Sequence, residues 1–492
     1  MAETRFISLI GQSYNLRNVQ FDCQRTINWI PEIDETQRGK NAEIAQFIPT
    51  PGLRPVLSGL AGGSKGGYVA SNGVCYWVFG GGLYKLTATS GDSSSFTATL
   101  LYTGANSQYP AYFTDNATDL FVLINNAPYV CNLDTDVVTP LTGGAFGQSS
   151  SQTFFDGYIV YSKVNSNQFY WTDLYSTTAS ALNFASAEAN PDKIVGLINN
   201  NLDLWIFGRK TIELWYNYGA NNTVFQRRPN TLIEMGCASA ASIKKLNNSL
   251  FWLAQDERGG YMLMQAKGYT PQRVSTYAIE QQWDKAGVTD IEKAIAYTYQ
   301  EGGHNYYAIN ITGTGSTWVY DMTVSDQMNS PTWHERQTLN VDTGLSNRHI
   351  AEGHAYYKGF HLTGDATQGN LYVMDNYYYY DNLAPVIRER TAPHISNNMD
   401  RIRYNNVTCD FYTGQAPNPD INPQIMMQFS DDGGLTWSDE YWQSAGLMGE
   451  YGIKVQFQRL GMTRSRVFRF RVSDPIYWAW SGASLDITPA AH

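Results

Sequence analysis

The residues with the most chemistry in their spacing are Ser430-Asp431-Asp432-Gly433-Gly434-Leu435-Thr436-Trp437, which fit the Asp-box pattern Ser-x-Asp-x-Gly-x-Thr-Trp at every position. In such a stretch the carboxylate and the hydroxyls bond turn amides, glycine takes a positive φ, and tryptophan packs beneath. The expected structural turn therefore comprises Ser430, Asp432, Gly434, Thr436 and Trp437. That chemistry staples a hairpin. It transfers no proton and breaks no bond.

Sialidases and other glycan-handling propellers carry the same box, usually several times, whereas here it occurs once and outside the repeated part of the chain. A glycosidase also needs two carboxylates, or a tyrosine with partners, converging on one bond. With 44 acidic residues and 34 tyrosines, composition selects no such pair. Arg388, Arg390, Arg401 and Arg403 could bind a substrate carboxylate, or could form inter-strand salt bridges with residues such as Glu389. We expect no catalytic residue. The seven histidines are dispersed, with His349, His354 and His361 nearest to a cluster, and none forms HExxH or pairs with cysteine at zinc spacing. Gly80-Gly81-Gly82 is a hairpin turn between strands, unlike a phosphate loop, which opens a helix. No metal and no cofactor are expected.

Lys454, Arg459, Arg464, Arg466, Arg469 and Arg471 lie in a stretch without an acid. Two readings stand: contact with DNA phosphate or an acidic partner, and a solvated sheet face balanced by Glu450 and Asp474. Tyr377-Tyr378-Tyr379-Tyr380 forms an aromatic patch suited to an interface or to sugar stacking.

The elements that hold these residues are strands. From Pro191 to Gly219, three short apolar runs are split by Asn199-Asn200-Asn201 and by Gly208-Arg209-Lys210. Leu202, Leu204 and Ile206 alternate with Asp203, Trp205 and Phe207, a period of two. This meander recurs. Between about Gly59 and Ile395 roughly seven strand-rich units follow at intervals of about 40–50 residues, the period of propeller blades. We expect a mainly β protein with a β-propeller over residues 58–396, of about seven blades, six being the alternative count. Plentiful glycine (43) and tyrosine (34) with only 16% charged residues favour short strands and tight turns over helices. Thr87–Ser95 and Gly143–Gln152 lack a strand pattern and are expected as surface loops. Helices are expected at Ser275–Trp283 and after a cap at Thr289-Asp290.

Residues 1–57 read differently, with three prolines near two apolar clusters around Asn28–Glu32 and Phe47–Leu53. An extended arm is expected. It packs either on the C-terminal domain or as a capping edge strand of its own domain. From residue 397 to 492 a small antiparallel β-sandwich is expected, in which Phe468, Phe470 and Val472 alternate with Arg469 and Arg471. The formal net charge of −10 argues against a protein that grips nucleic acid by neutralising phosphate. Five scattered cysteines suggest free thiols. Without an apolar leader or a long apolar run, a soluble protein with no membrane anchor is expected.

Several segments occur together in one order: Asn28-Trp-Ile-Pro-Glu32, Thr50-Pro-Gly-Leu53, Gly82-Leu-Tyr-Lys85, Ala187-Glu188 through Pro191–Gly196 to Thr211-Ile-Glu-Leu214, and Ser275-Thr276 to Ile279-Glu280. In this order they resemble the packaged-DNA stabilisation proteins, or tail hubs or nozzles, of P22-like short-tailed bacteriophages. The end of the chain, Ser430–Trp437 with Val467–Pro475, resembles a version with an added Asp-box domain. The resemblance implies a virion protein made in the host cytoplasm. It implies a hexameric ring below the portal and its adaptor ring, continuing the channel through which packaged double-stranded DNA passes non-specifically. Tail needle or plug and tailspike or fibre proteins would dock nearby. It implies no catalysis. An acidic, non-gripping conduit agrees with the charge. The alternative is a glycan-binding or glycan-hydrolysing, sialidase-like propeller acting in receptor recognition.

Overall fold

The computed structural model describes residues 3–7, 9–34, 43–89, 95–190, 192–220, 223–256, 258–397 and 400–489. The polar loop through Lys40, the Ser90–Ser94 part of the first polar stretch, and Pro191 lie outside them. The described chain is mainly strand, arranged as a seven-bladed propeller and a sandwich.

Each blade is a four-stranded antiparallel sheet, the fifth carrying an extra two-residue strand, Gly236–Cys237, beside Ser249–Gln255. In the fourth, Ile194–Asn200, Asp203–Gly208, Ile212–Ala220 and Thr223–Arg227 pair in sequence order. Asn201, at φ 55°, makes the first turn, because asparagine tolerates the left-handed region better than other side chains do. The innermost strands are Ser64–Val69, Tyr112–Asp115, Ser149–Phe155, Ile194–Asn200, Lys244–Leu246, Ile295–Glu301 and Ala351–Tyr357. They meet around a central channel, and the seventh returns to touch the first. The tightly buried middle strands Cys75–Phe79, Asp119–Ile124 and Asp203–Gly208 explain the unbroken apolar runs, since neighbouring blades cover both of their faces.

The ring is closed by the N-terminal segment. Gly52–Leu57 pairs antiparallel with Leu371–Asp375 and supplies the fourth strand of the seventh blade. The rest of the arm builds the sandwich. Trp29–Ile33 pairs with Ile44–Pro49, which joins the last strand Trp480–Pro489, and Glu3–Ile7 pairs with that strand as well. Phe47 lies stacked on Trp29 at 5.7 Å and beside Trp480 at 6.0 Å, so both chain ends share one core.

Three local expectations change. Ser149–Gln152 is not a surface loop but the start of the third blade's innermost strand, with Ser149, Ser151 and Gln152 buried. Its polar side chains serve as backbone partners: Ser151 Oγ accepts from Leu197 N (2.9 Å), and Gln152 Nε2 donates to Phe121 O (2.7 Å). The helix Val288–Glu292 starts at Gly287, placing Thr289 and Asp290 inside it. A third helix, Met322–Met328, is capped by Asp321, whose carboxylate accepts from Val324 N at 3.1 Å. The helix over Tyr277–Trp283 follows the sequence, with Ile279 and Trp283 buried.

Candidate functional site at the propeller–sandwich joint

The strand Cys23–Ile27 lies between the two domains. It pairs in parallel with the sixth blade's outer strand through Ile27 and Glu335, and antiparallel with Arg388–Thr391. Arg388–Thr391 in turn pairs antiparallel with the sandwich strand Ser465–Val472. Blade and sandwich thus share one sheet.

Polar side chains lock this seam. Asn28, at φ 56°, donates to Gln337 O (2.9 Å) and Ile387 O (2.7 Å) and accepts from Gln337 N (3.0 Å). Glu335 receives Arg25 (Nη2, 2.5 Å), Ser13 (3.0 Å) and Ser316 (2.7 Å). Arg390 is buried and donates to Leu9 O, Gln12 O, Thr26 Oγ1 and Gln24 Oε1. It therefore acts as a knot between chain ends rather than a ligand-binding arginine. Arg388 is likewise buried, whereas Arg401 and Arg403 are exposed on the sandwich.

The Asp-box turn sits against the same arm. Asp432 accepts from Thr436 Oγ1 (2.5 Å), Thr436 N (2.9 Å), Leu435 N (3.0 Å) and Ser430 Oγ (2.7 Å), and Ser430 Oγ accepts from Gly434 N (2.7 Å). The Thr436 bonds, followed by that from Ser430, hold the Asp432 carboxyl far below the usual carboxylate range. Such a group stays ionised and cannot serve as a proton donor. Gly434 takes φ 95°, and a Cβ there would lie 3.2 Å from Cys23 Sγ, so the turn presses on the joining strand. Trp437 lies under the Arg469 guanidinium at 4.0 Å.

The six basic residues divide. Lys454, Arg459 and Arg464 are exposed. Arg466 is buried, pairs with Asp431 through two bonds (2.7 and 2.8 Å), donates to Leu460 O, and stacks 4.0 Å from Phe429. Arg469 bonds Gln428, and Arg471 pairs with Glu389 at 2.6 Å. Alternation along Ser465–Val472 put Arg469 and Arg471 on one face, but their partners come from neighbouring strands that spacing does not reveal. Of the tyrosine run, Tyr377 is 88% exposed and the others are partly covered.

His354 and His361 face each other, Nε2 to Nδ1, at 2.9 Å, while His349 is buried 3.5 Å from Asp381. Among the described residues no three His, Cys, Asp or Glu side chains group as a metal site. All five cysteines are buried with free thiols. Sequence reasoning missed the Asn28 and Glu335 clamps. Their only signal is an asparagine at a strand end and an acid flanked by His334 and Arg336 in a strand that carries Trp333 near its start.

These features define a two-domain β protein in which a closed propeller and a sandwich are welded by the chain's N-terminal arm. The family profile described as bacteriophage P22 Gp10, beta-propeller, matches residues 7–379, and that described as bacteriophage P22 Gp10, beta-sandwich, matches residues 387–488. The chain belongs to the bacteriophage P22 Gp10 family of structural phage tail and DNA-stabilisation proteins. No curated protein sequence matches it. Among solved structures, an extracellular domain assigned to a hybrid two component system of B. thetaiotaomicron is 12% identical, with a TM-score of 0.43, covering 76% of this chain and 43% of its own. The chain thus spans under half of that relative. The N-terminal domain of Nup159 is 8% identical (TM-score 0.41; 71% of this chain, 98% of its own). The Neurospora crassa Pan2 WD40 domain is 10% identical (TM-score 0.37; 64% and 89%). No helix among the described residues is long and apolar enough to cross a membrane.

Proposed function

We propose that the protein is a tail hub or nozzle subunit of a short-tailed phage virion, assembling as a hexameric ring. The ring extends the portal–adaptor channel, stabilises packaged DNA and conducts it during ejection, with needle or plug and tailspike or fibre proteins docking around it. The family match across both domains in chain order carries this reading. Three observations support it. A subunit that must hold shape beside pressurised DNA benefits from domains joined by a continuous sheet instead of a hinge. The exposed Tyr377, Leu383 and Tyr412 offer aromatic and apolar area of the kind permanent subunit contacts use. The net charge of −10 suits a wall past which DNA slides. The exposed Lys454, Arg459 and Arg464 are proposed as subunit or adaptor contacts.

Analytical ultracentrifugation and negative-stain microscopy test this on the full chain, alone and mixed with portal–adaptor complexes. Sixfold rings capping the portal assembly are expected. A protein that stays monomeric with those complexes, or that hydrolyses sialosides or is retained on glycan arrays, would overturn the proposal.

A further inference from the structure

The propeller's own central channel has a charge opposite to the rest of the molecule. It holds two connected cavities of about 500 and 350 Å³. The wider one opens on the face where the innermost strands begin and is lined by Lys65, Lys193, Arg209, Lys293 and Arg348. Lys244 and Lys245 line the narrower one. Against these seven cations the described lining offers two carboxylates, Glu292 and Glu352, in a chain whose formal charge is −10.

Both carboxylates are already engaged. Glu292 pairs with Arg209 at 2.7 Å and Glu352 with Arg348 at 3.2 Å. Lys245 donates to Asn199 Oδ1 at 3.1 Å. Lys193, Lys244 and Lys293 have no side-chain partner among the described residues, and Lys65 has only the field of Glu352. Burial lowers the Lys244 ammonium to about 8, with no neighbouring carboxylate to offset it. A cavity that collects cations without counter-charges is destabilised by itself and relieved by an anion.

Placement around the ring narrows the ligand. Lys65 comes from the first blade, Lys193 from the start of the fourth, and Lys293 from the entry to the sixth. In a seven-bladed ring the fourth blade faces the first across the channel, so a single small oxyanion cannot bridge them. The two arginines, whose forked guanidinium suits carboxylates, are each already tied to a carboxylate, Arg209 to Glu292 and Arg348 through Nη2 to Glu352. The lining cations with no side-chain partner at all are lysines, point charges that serve phosphate without needing a planar fork. We propose that the propeller channel is a binding site for a small multivalent phosphate anion, held between Lys65, Lys193 and Lys293 on facing blades. This site is independent of ring assembly and would be present in the isolated subunit.

Titration calorimetry of the full chain with inorganic tripolyphosphate, at ionic strength held constant with sodium chloride, provides the test. Saturable binding is expected, about tenfold weaker in the Lys193→Gln, Lys293→Gln double variant. These side chains are exposed at the channel mouth, so the variant should keep the parent's thermal midpoint without ligand. Arg464→Gln, on the exposed sandwich face, should bind as the parent does. Citrate should bind more weakly than tripolyphosphate. The proposal is overturned by absence of saturable binding, by equal affinity in the double variant, by equal loss in Arg464→Gln, or by citrate binding as tightly.

Discussion

Arg464 and Arg466 stand two residues apart and have opposite fates. Arg464 points to solvent, while Arg466 is buried with Asp431 bonded to it twice and two aromatic rings against its guanidinium. Arg466→Ala removes those bonds and leaves a void, so a loss of about 3 kcal/mol is expected in denaturant unfolding. Arg464→Ala should change stability by less than about 0.5 kcal/mol. Equal effects of the two would contradict this division of the basic stretch. His304 supplies a second residue-scale expectation. Burial alone would lower its pKa, but bonds to Asp321 (2.7 Å) and Glu32 (3.2 Å) raise it from 6.5 to about 10. A raised folded value stabilises the fold fully below the unfolded pKa of 6.5, and that contribution fades as pH rises through about 10. Replacing His304 by Gln should cost about 3 kcal/mol at neutral pH and progressively less toward pH 10. A penalty that does not shrink on alkalinisation would refute the imidazolium bridge.

At the scale of elements, the controlling piece is the short strand Cys23–Ile27 with the Asn28 turn that follows. One asparagine side chain ties the arm to the sixth blade's outer strand and to the connection entering the sandwich. Asn28→Ala removes three hydrogen bonds and places a β-carbon residue at φ 56° with no polar side chain to steady it, a loss of about 3 kcal/mol. Because the lost bonds lie between domains, calorimetry should show one unfolding transition separating into two, propeller and sandwich. A single transition merely displaced to lower temperature would mean that the seam is held elsewhere, for instance by Arg390.

For the whole molecule, closure of the ring depends on Gly52–Leu57 reaching the seventh blade. Gly52 lies where a Cβ would stand 2.0 Å from the Tyr378 carbonyl, a clash with backbone that cannot swing away. Gly52→Ala should therefore lower stability by about 3 kcal/mol and expose the seventh blade to limited proteolysis ahead of the others. Cleavage that begins instead in the third or fourth blade would show that closure lies elsewhere. A closed ring also explains how an acidic chain can carry a basic channel: the inner strand starts and turns of seven blades converge on one axis, so the few cations of the first, fourth, fifth and sixth blades gather there.

The order of residues determined the repeated meanders, because a period of two with glycine and asparagine at the turns encodes a strand's face locally. It likewise carried the Asp-box staple, whose partners all lie within seven positions of one another, and the family. Tertiary structure alone decided which strand closes the propeller, that both chain ends share the sandwich core, and which arginines of one basic run face solvent. It also turned Ser149–Gln152 from an expected loop into a buried strand, since hydroxyls and amides there bond neighbouring blades. Those outcomes join residues as far apart as Asn28 and Ile387. Local alternation specifies how a strand faces its neighbours, but the identity of a distant neighbour exists only once the chain has closed on itself.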